Sequence, residues 1–251
     1  MHPNISQHID FICYNYPPYR QFLIAPVGSW NYDCADKHSD TDVKAIIVPS
    51  IEDVIYDKCE SFTHLFPNEE HCDVSDIRNF MKSIQKGNPQ FIEVLFSNWI
   101  YPNNEYYSAE IHALLQIRED IARCNPQNTM RAMLGMADRN YQLCKQRGKE
   151  PHANKWLYQL VRIEEQMKKY MLFMNFADCL KTDKREDLLE IKNSHWDENK
   201  ILAFGERVIV ECTSHYNVFK EFSHTNEDIY CQKMVEAVVK EVCRKSISKV
   251  D

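Results

Sequence analysis

Two aspartates one residue apart, Asp40 and Asp42, head the apolar run at residues 43–48, and ten residues separate Asp40 from the Gly28-Ser29 pair. In extended chain alternate side chains share a face, so Asp40 and Asp42 point one way and Thr41 the other. Neighbouring carboxylates repel unless a cation lies between them. Magnesium, with manganese as its substitute, is a hard cation that takes carboxylate and phosphate oxygens together. Gly28-Ser29 follows the apolar run 21–27 and offers backbone N–H groups and a hydroxyl to phosphate oxygens. An acidic turn before a buried strand would account for the Asp-x-Asp triplet alone. It does not account for the Gly-Ser pair placed before it between two apolar runs.

A second alternating segment, His71-Cys72-Asp73-Val74-Ser75, puts His71, Asp73 and Ser75 on one face. Asp73 is therefore the candidate third carboxylate. Its rivals Glu69 and Glu70 follow the turn signal Pro67-Asn68 and read as solvent-facing. Glu93 follows Asn88-Pro89, where a helix start favours a carboxylate for structural reasons. Lys155, Gln159 and Arg162, at spacings of four and three, form a polar stripe beside the apolar one through Trp156, Leu160 and Ile163.

Composition removes several other classes. GxGxxG and GxxxxGK[ST] are both absent, so dinucleotide and P-loop chemistry lose their main support. A net charge of −7 supplies no field for long DNA. Lys181, Lys184, Arg185 and Lys192 are interleaved with Asp183, Glu186, Asp187 and Glu190, which reads as a solvated helix face. The 10 cysteines include no CxxC pair, so they read as reduced thiols in a cytoplasmic protein rather than zinc ligands. No apolar run approaches a membrane span.

The elements that must position these residues differ along the chain. Residues 10–13, 21–27 and 43–48 have the length and composition of strands, and residues 77–84 and 91–99 read as short helices. From about Ser108 helical spacing takes over, in Ile111-Leu114-Leu115-Ile121, in the stripe from Trp156 to Met174, and at residues 201–219 and 231–247. The expected architecture is α+β, with an α/β domain at residues 1–105 and an α-helical domain at 106–251.

These residues resemble the DNA polymerase beta-like nucleotidyltransferase superfamily, whose signature is Gly-Ser, a spacer of this length, and Asp-x-Asp. The resemblance is to its uncharacterised bacterial and phage branch of predicted nucleotidyltransferases. Asp73-Val74 followed by Phe80 looks like that branch's third-carboxylate strand and next helix. Lys86-Gly87-Asn88-Pro89 with Glu93-Val94-Leu95-Phe96 is similar to its KxNPxxxExLF stretch. Leu134-Gly135-Met136-Ala137 and the segment from Lys155 to Arg162 resemble its helical landmarks, so the likeness runs over residues 22–195. Trp30 stands where the branch has Arg, and Gln159 where it commonly has His.

The resemblance implies a mixed sheet in the N-terminal domain and transfer of a nucleoside monophosphate from an NTP, ATP by preference, to an acceptor. Asp40, Asp42 and Asp73 would hold magnesium, Gly28 and Ser29 the phosphates, and Lys155, Gln159 and Arg162 would reach phosphate from a helix. The acceptor is open among a tRNA end, a protein side chain and a small molecule, with no membrane involved. A nucleotide-binding or partner-binding module on the same fold is the alternative.

Overall fold

The computed structural model describes residues 3–36, 39–101, 106–148, 150, 153–194, 196–222 and 228–248. Lys37 and His38 of the spacer, and the expected boundary at residue 105, lie outside the described residues.

Four strands form one mixed sheet: β1 (Gln21–Pro26), β2 (Val43–Ile47), β3 (Ser61–Leu65) and β4 (His71–Asp76), in the order β1-β2-β4-β3. β1 runs antiparallel to β2, β2 parallel to β4, and β4 antiparallel to β3. One face is apolar. Ile24, Val43, Ala45, Ile47, Cys72 and Val74 pack there with Ile12 and Tyr16, backed by Ile5, Ile9 and Phe11. Residues 10–13, expected as a strand, thus belong to the helix Ser6–Asn15. Ile5, Ile9 and Ile12 repeat at helical spacing, and that stripe covers the sheet.

β3 carries no sequence signal because it is an edge strand with little to bury. Ser61, Phe62, Thr63 and Leu65 are all exposed. β2 begins at Val43, so Asp40 and Asp42 precede it in the chain. The Val27 N–H nevertheless donates to the Asp42 carbonyl at 2.9 Å, so the backbone ladder extends past the strand end. The helix expected at residues 91–99 is shorter: Pro89–Ile92, capped by the Asn88 side chain, passes into a 3-10 turn at Glu93–Phe96.

The chain divides into two compact units that interleave in sequence. The first comprises Met1–Asn31, Ala35–Cys124 and Asp228–Asp251; the second comprises Tyr32–Cys34 and Asn125–Glu227. The helices Ser108–Gln116, Arg118–Arg123 and Ile229–Ile247 therefore belong with the sheet. In the second unit the helix Ala153–Met171 is surrounded by Pro126–Arg147, Phe176–Leu180, Arg185–Asn193 and Glu198–Phe222. It ends before Met174, where Phe173 takes φ +57°. Enclosure on all sides buries its polar residues as well as its apolar stripe, and these pair internally. The Glu165 carboxylate meets Lys169 Nζ at 3.1 Å, and that of Glu164 meets His215 Nε2 at 2.8 Å. Among the described residues no helix is long and apolar enough to cross a membrane.

Candidate functional site

Gly28-Ser29-Trp30 forms a single 3-10 turn directly after β1. Gly28 has φ +74°, a left-handed conformation that glycine adopts without steric cost, and a Cβ built there would meet no atom within 4 Å. The turn is tied to the aspartate segment twice. Besides the Val27–Asp42 bond, the indole Nε1–H of Trp30 donates to the Asp40 carbonyl at 3.2 Å. Trp30 is buried and stands edge-on to Trp99, with ring centroids 6.1 Å apart. The residue at the resemblance's Arg position is thus an anchor for the Asp40 backbone.

Alternation across residues 40–42 is as expected from spacing. Thr41 is 3% exposed, Asp40 is exposed and Asp42 half-buried. Beneath them Glu70 accepts the Thr41 N–H at 3.1 Å and a hydrogen bond from the Gln7 side chain, with His8 Nε2 at 3.9 Å. Glu70, read from its turn context as solvent-facing, therefore clamps the middle of the Asp-x-Asp segment from the helix side; Glu69 is exposed as expected. Burial of His8 pushes its pKa below the usual imidazole value, opposed by the charges of Glu70 and Asp42. Glu93, the remaining rival, is buried in its 3-10 turn.

The polar sheet face holds the candidate residues in two rows. The inner row pairs Ala25 with Lys44, Lys44 with Asp73, and Asp73 with Thr63. Asp73 lies between Lys44 Nζ at 2.8 Å and the Thr63 hydroxyl at 2.6 Å. Burial raises its pKa, but the Lys44 charge and these two hydrogen bonds outweigh that and hold it below the normal carboxylate value. The outer row joins Asp42 to His71, whose N–H and Nδ1 lie 3.3 and 3.1 Å from the Asp42 carboxylate. Asp42 and Asp73 therefore share a face but stand on a diagonal. One strand spacing across and two residues along places their Cα atoms about 8 Å apart. Among the described residues no three His, Cys, Asp or Glu side chains stand together as a metal-binding group.

The donor set nonetheless fits a hard divalent cation. Asp40 and Asp42 present outward carboxylates beside the Gly28-Ser29 turn, and Asp73 is held ionised on the same face. Asn31, which ends the turn, adds an independent sign of a ligand. Its side chain is 7% exposed, and neither its amide nitrogen nor its oxygen has a hydrogen-bond partner among the described residues. Leaving such a group unsatisfied costs about 1–3 kcal/mol. A cavity of about 290 Å³ adjoins Asp73, lined by Lys44, Ser61, Phe62, Thr63, Ser75 and Phe91 among others. A larger one, about 670 Å³, lies against Met81, Val239 and Ile247 and contains none of the candidate residues. The smaller cavity is the relevant one, because it shares Lys44 and Asp73 with the carboxylate face.

In the second unit the expected polar stripe is partly joined. Arg162, 4% exposed, donates from Nε to Gln159 and from a terminal nitrogen to Gln166, both at 3.1 Å. Its guanidinium lies 3.8 Å from the Tyr32 ring centre, a stacked cation–π contact. Lys155 is exposed on the same helix. Cys34, in the same unit, is fully buried, and burial pushes its thiol pKa up.

The sequence model of the RNA repair pathway DNA polymerase beta family matches residues 2–217. No curated protein sequence matches the chain. Among solved structures the chain is similar to a nucleotidyltransferase-like protein from Exiguobacterium sibiricum, at 11% identity and a TM-score of 0.38, over 96% of this chain and 86% of that one.

Proposed function

The chain belongs to the RNA repair pathway DNA polymerase beta family, and from that membership we propose that it transfers a nucleoside monophosphate from a magnesium-bound NTP to an RNA end. The observation that carries the reading is the display of Asp40 and Asp42 around a buried Thr41, tied through Val27 and Trp30 to the Gly28-Ser29 turn. The family's description favours an RNA acceptor over the protein side chain and small molecule that the sequence leaves open.

In this reading the turn's backbone N–H groups and the Ser29 hydroxyl hold the phosphates, and Asn31 supplies an amide to a phosphate or ribose oxygen. Asp40, Asp42 and Asp73 would hold magnesium, which when bound neutralises charge on the phosphates and orients them. The acceptor hydroxyl attacks the α-phosphorus, the bond to the bridging oxygen breaks, and pyrophosphate leaves. Asp73, released from Lys44, accepts the hydroxyl proton, and the freed Lys44 ammonium compensates charge on the phosphoryl oxygens. Thr63 and Glu70 act as positioning residues for Asp73 and Thr41.

The Lys44–Asp73 ion pair favours a second reading, a nucleotide-binding module whose third carboxylate is permanently engaged. Incubating the protein with magnesium, each labelled NTP and synthetic RNAs with defined 3′ ends separates the two. The transferase reading expects pyrophosphate release and label on the RNA. Saturable NTP binding with no pyrophosphate from any NTP–acceptor pair overturns it in favour of the module.

A further inference from the structure

The second unit is inserted between Cys124 and Asp228 of the first, apart from the short segment Tyr32–Cys34. Where the chain leaves and re-enters, the first unit closes on itself. The Asp228 N–H donates to the Cys124 carbonyl at 2.9 Å, and the Cys124 thiol donates to the Asp228 carbonyl at 3.5 Å. The Asp228 carboxylate in turn caps the helix Ile229–Ile247, accepting the Cys231 N–H at 3.0 Å. Cys231 is thereby pinned in the first turn beside Cys124, the two residues sharing Asp228 as a partner, one through its carbonyl and the other through its carboxylate. Cys124 and Cys231 are 1% and 2% exposed.

We propose that Cys124 and Cys231 are a redox modification site, a dithiol that a water-sized two-electron oxidant such as hydrogen peroxide converts to a disulfide. The contact polarises the pair in the direction such chemistry needs: hydrogen bonding from Cys231 pushes the Cys124 thiol pKa down and that of Cys231 up. The Cys124 thiolate attacks one peroxide oxygen, the O–O bond breaks, and Cys124 becomes a sulfenic acid while hydroxide takes up a proton. The Cys231 sulfur then attacks the Cys124 sulfur, loses its proton, and expels the sulfenic oxygen as water. Two thiols and one peroxide give one disulfide and two waters. The product closes residues 125–230 into a covalent loop at the neck of the insertion. A cross-link enclosing so long a segment restricts the unfolded chain strongly.

The test uses the full reduced chain, treated natively with a few equivalents of hydrogen peroxide, then denatured, alkylated and digested with trypsin for mass spectrometry. The expected product is a peptide pair joined through Cys124 and Cys231, two hydrogens lighter than the separate peptides and released by dithiothreitol. The melting midpoint of oxidised wild type should exceed that of reduced protein by roughly 5 °C or more, with Cys231→Ser showing no such rise. The wild-type measurement stands even where the variant fails to fold. Full alkylation of both residues after oxidation, a link from either to another cysteine, or a link formed only in protein unfolded beforehand overturns the proposal.

Discussion

Asp42→Asn should leave the ligand-free protein almost as stable as wild type and remove its response to magnesium-NTP. The structure sets the first magnitude. The Asp42 carboxylate has His71 Nδ1 at 3.1 Å, but the two side chains are 49% and 48% exposed. An exposed pair of that kind contributes at most about 1 kcal/mol. Asparagine keeps an oxygen to accept the His71 N–H, and it removes a repulsion with Asp40. The second magnitude is the linkage free energy of the ligand, about 2.7 kcal/mol at a hundred times the dissociation constant. For a domain of this size that corresponds to roughly 5–11 °C in melting temperature.

Differential scanning fluorimetry of wild type, Asp40→Asn and Asp42→Asn, each with NTP alone, magnesium alone and both, reads the two quantities separately. Asp10→Asn, an exposed carboxylate on the first helix, is the control and should keep the full shift. If both site variants keep the wild-type shift, the carboxylates do not hold the cation and the reasoning fails.

Three further outcomes follow from the same geometry. Gly28→Val should cost about 1–2 kcal/mol from its left-handed backbone alone, since no atom obstructs a Cβ there; calorimetry should show a loss of NTP affinity beyond that, and stability loss without it would mean the glycine only makes a turn. Asp73→Asn should strand a largely buried Lys44 at a cost of about 1–3 kcal/mol, retain most magnesium-NTP affinity, and lose transfer rate by orders of magnitude; urea melts and single-turnover assays check this, and an unchanged rate removes Asp73 from the chemistry. His8, whose pKa in the fold lies below 6.5, binds its proton more readily unfolded, so its contribution is present above about pH 6.5 and falls away as pH drops toward the folded value. His8→Met should flatten that loss in melts between pH 7 and 5, and an unchanged slope would place the acid sensitivity elsewhere.

What was legible in the sequence, and what was not, divides along one physical line. Periodicity assigns a face, and it put Asp40 and Asp42 together, Thr41 inward, and Asp73 on the polar side of β4. The Gly-Ser turn and β2 were readable because backbone and apolar requirements there are local. β3 was not, because an exposed edge strand has little apolar surface to bury, so nothing local in the sequence marks Thr63, which holds Asp73. Register was equally hidden, since it is a relation between segments remote in sequence. Only the pairing of Lys44 with Asp73 and the contact of Asp42 with His71 reveal that the carboxylates stand in different rows. The same holds for Glu70, whose contact with Thr41 spans 29 positions and contradicts its turn context. Rows decide which side chains can share a cation, and here the inner row already contains a cation, Lys44. A divalent ion serving all three aspartates must therefore close a diagonal and displace an ammonium. That makes Asp73, rather than Asp40 or Asp42, the position where binding and turnover should separate.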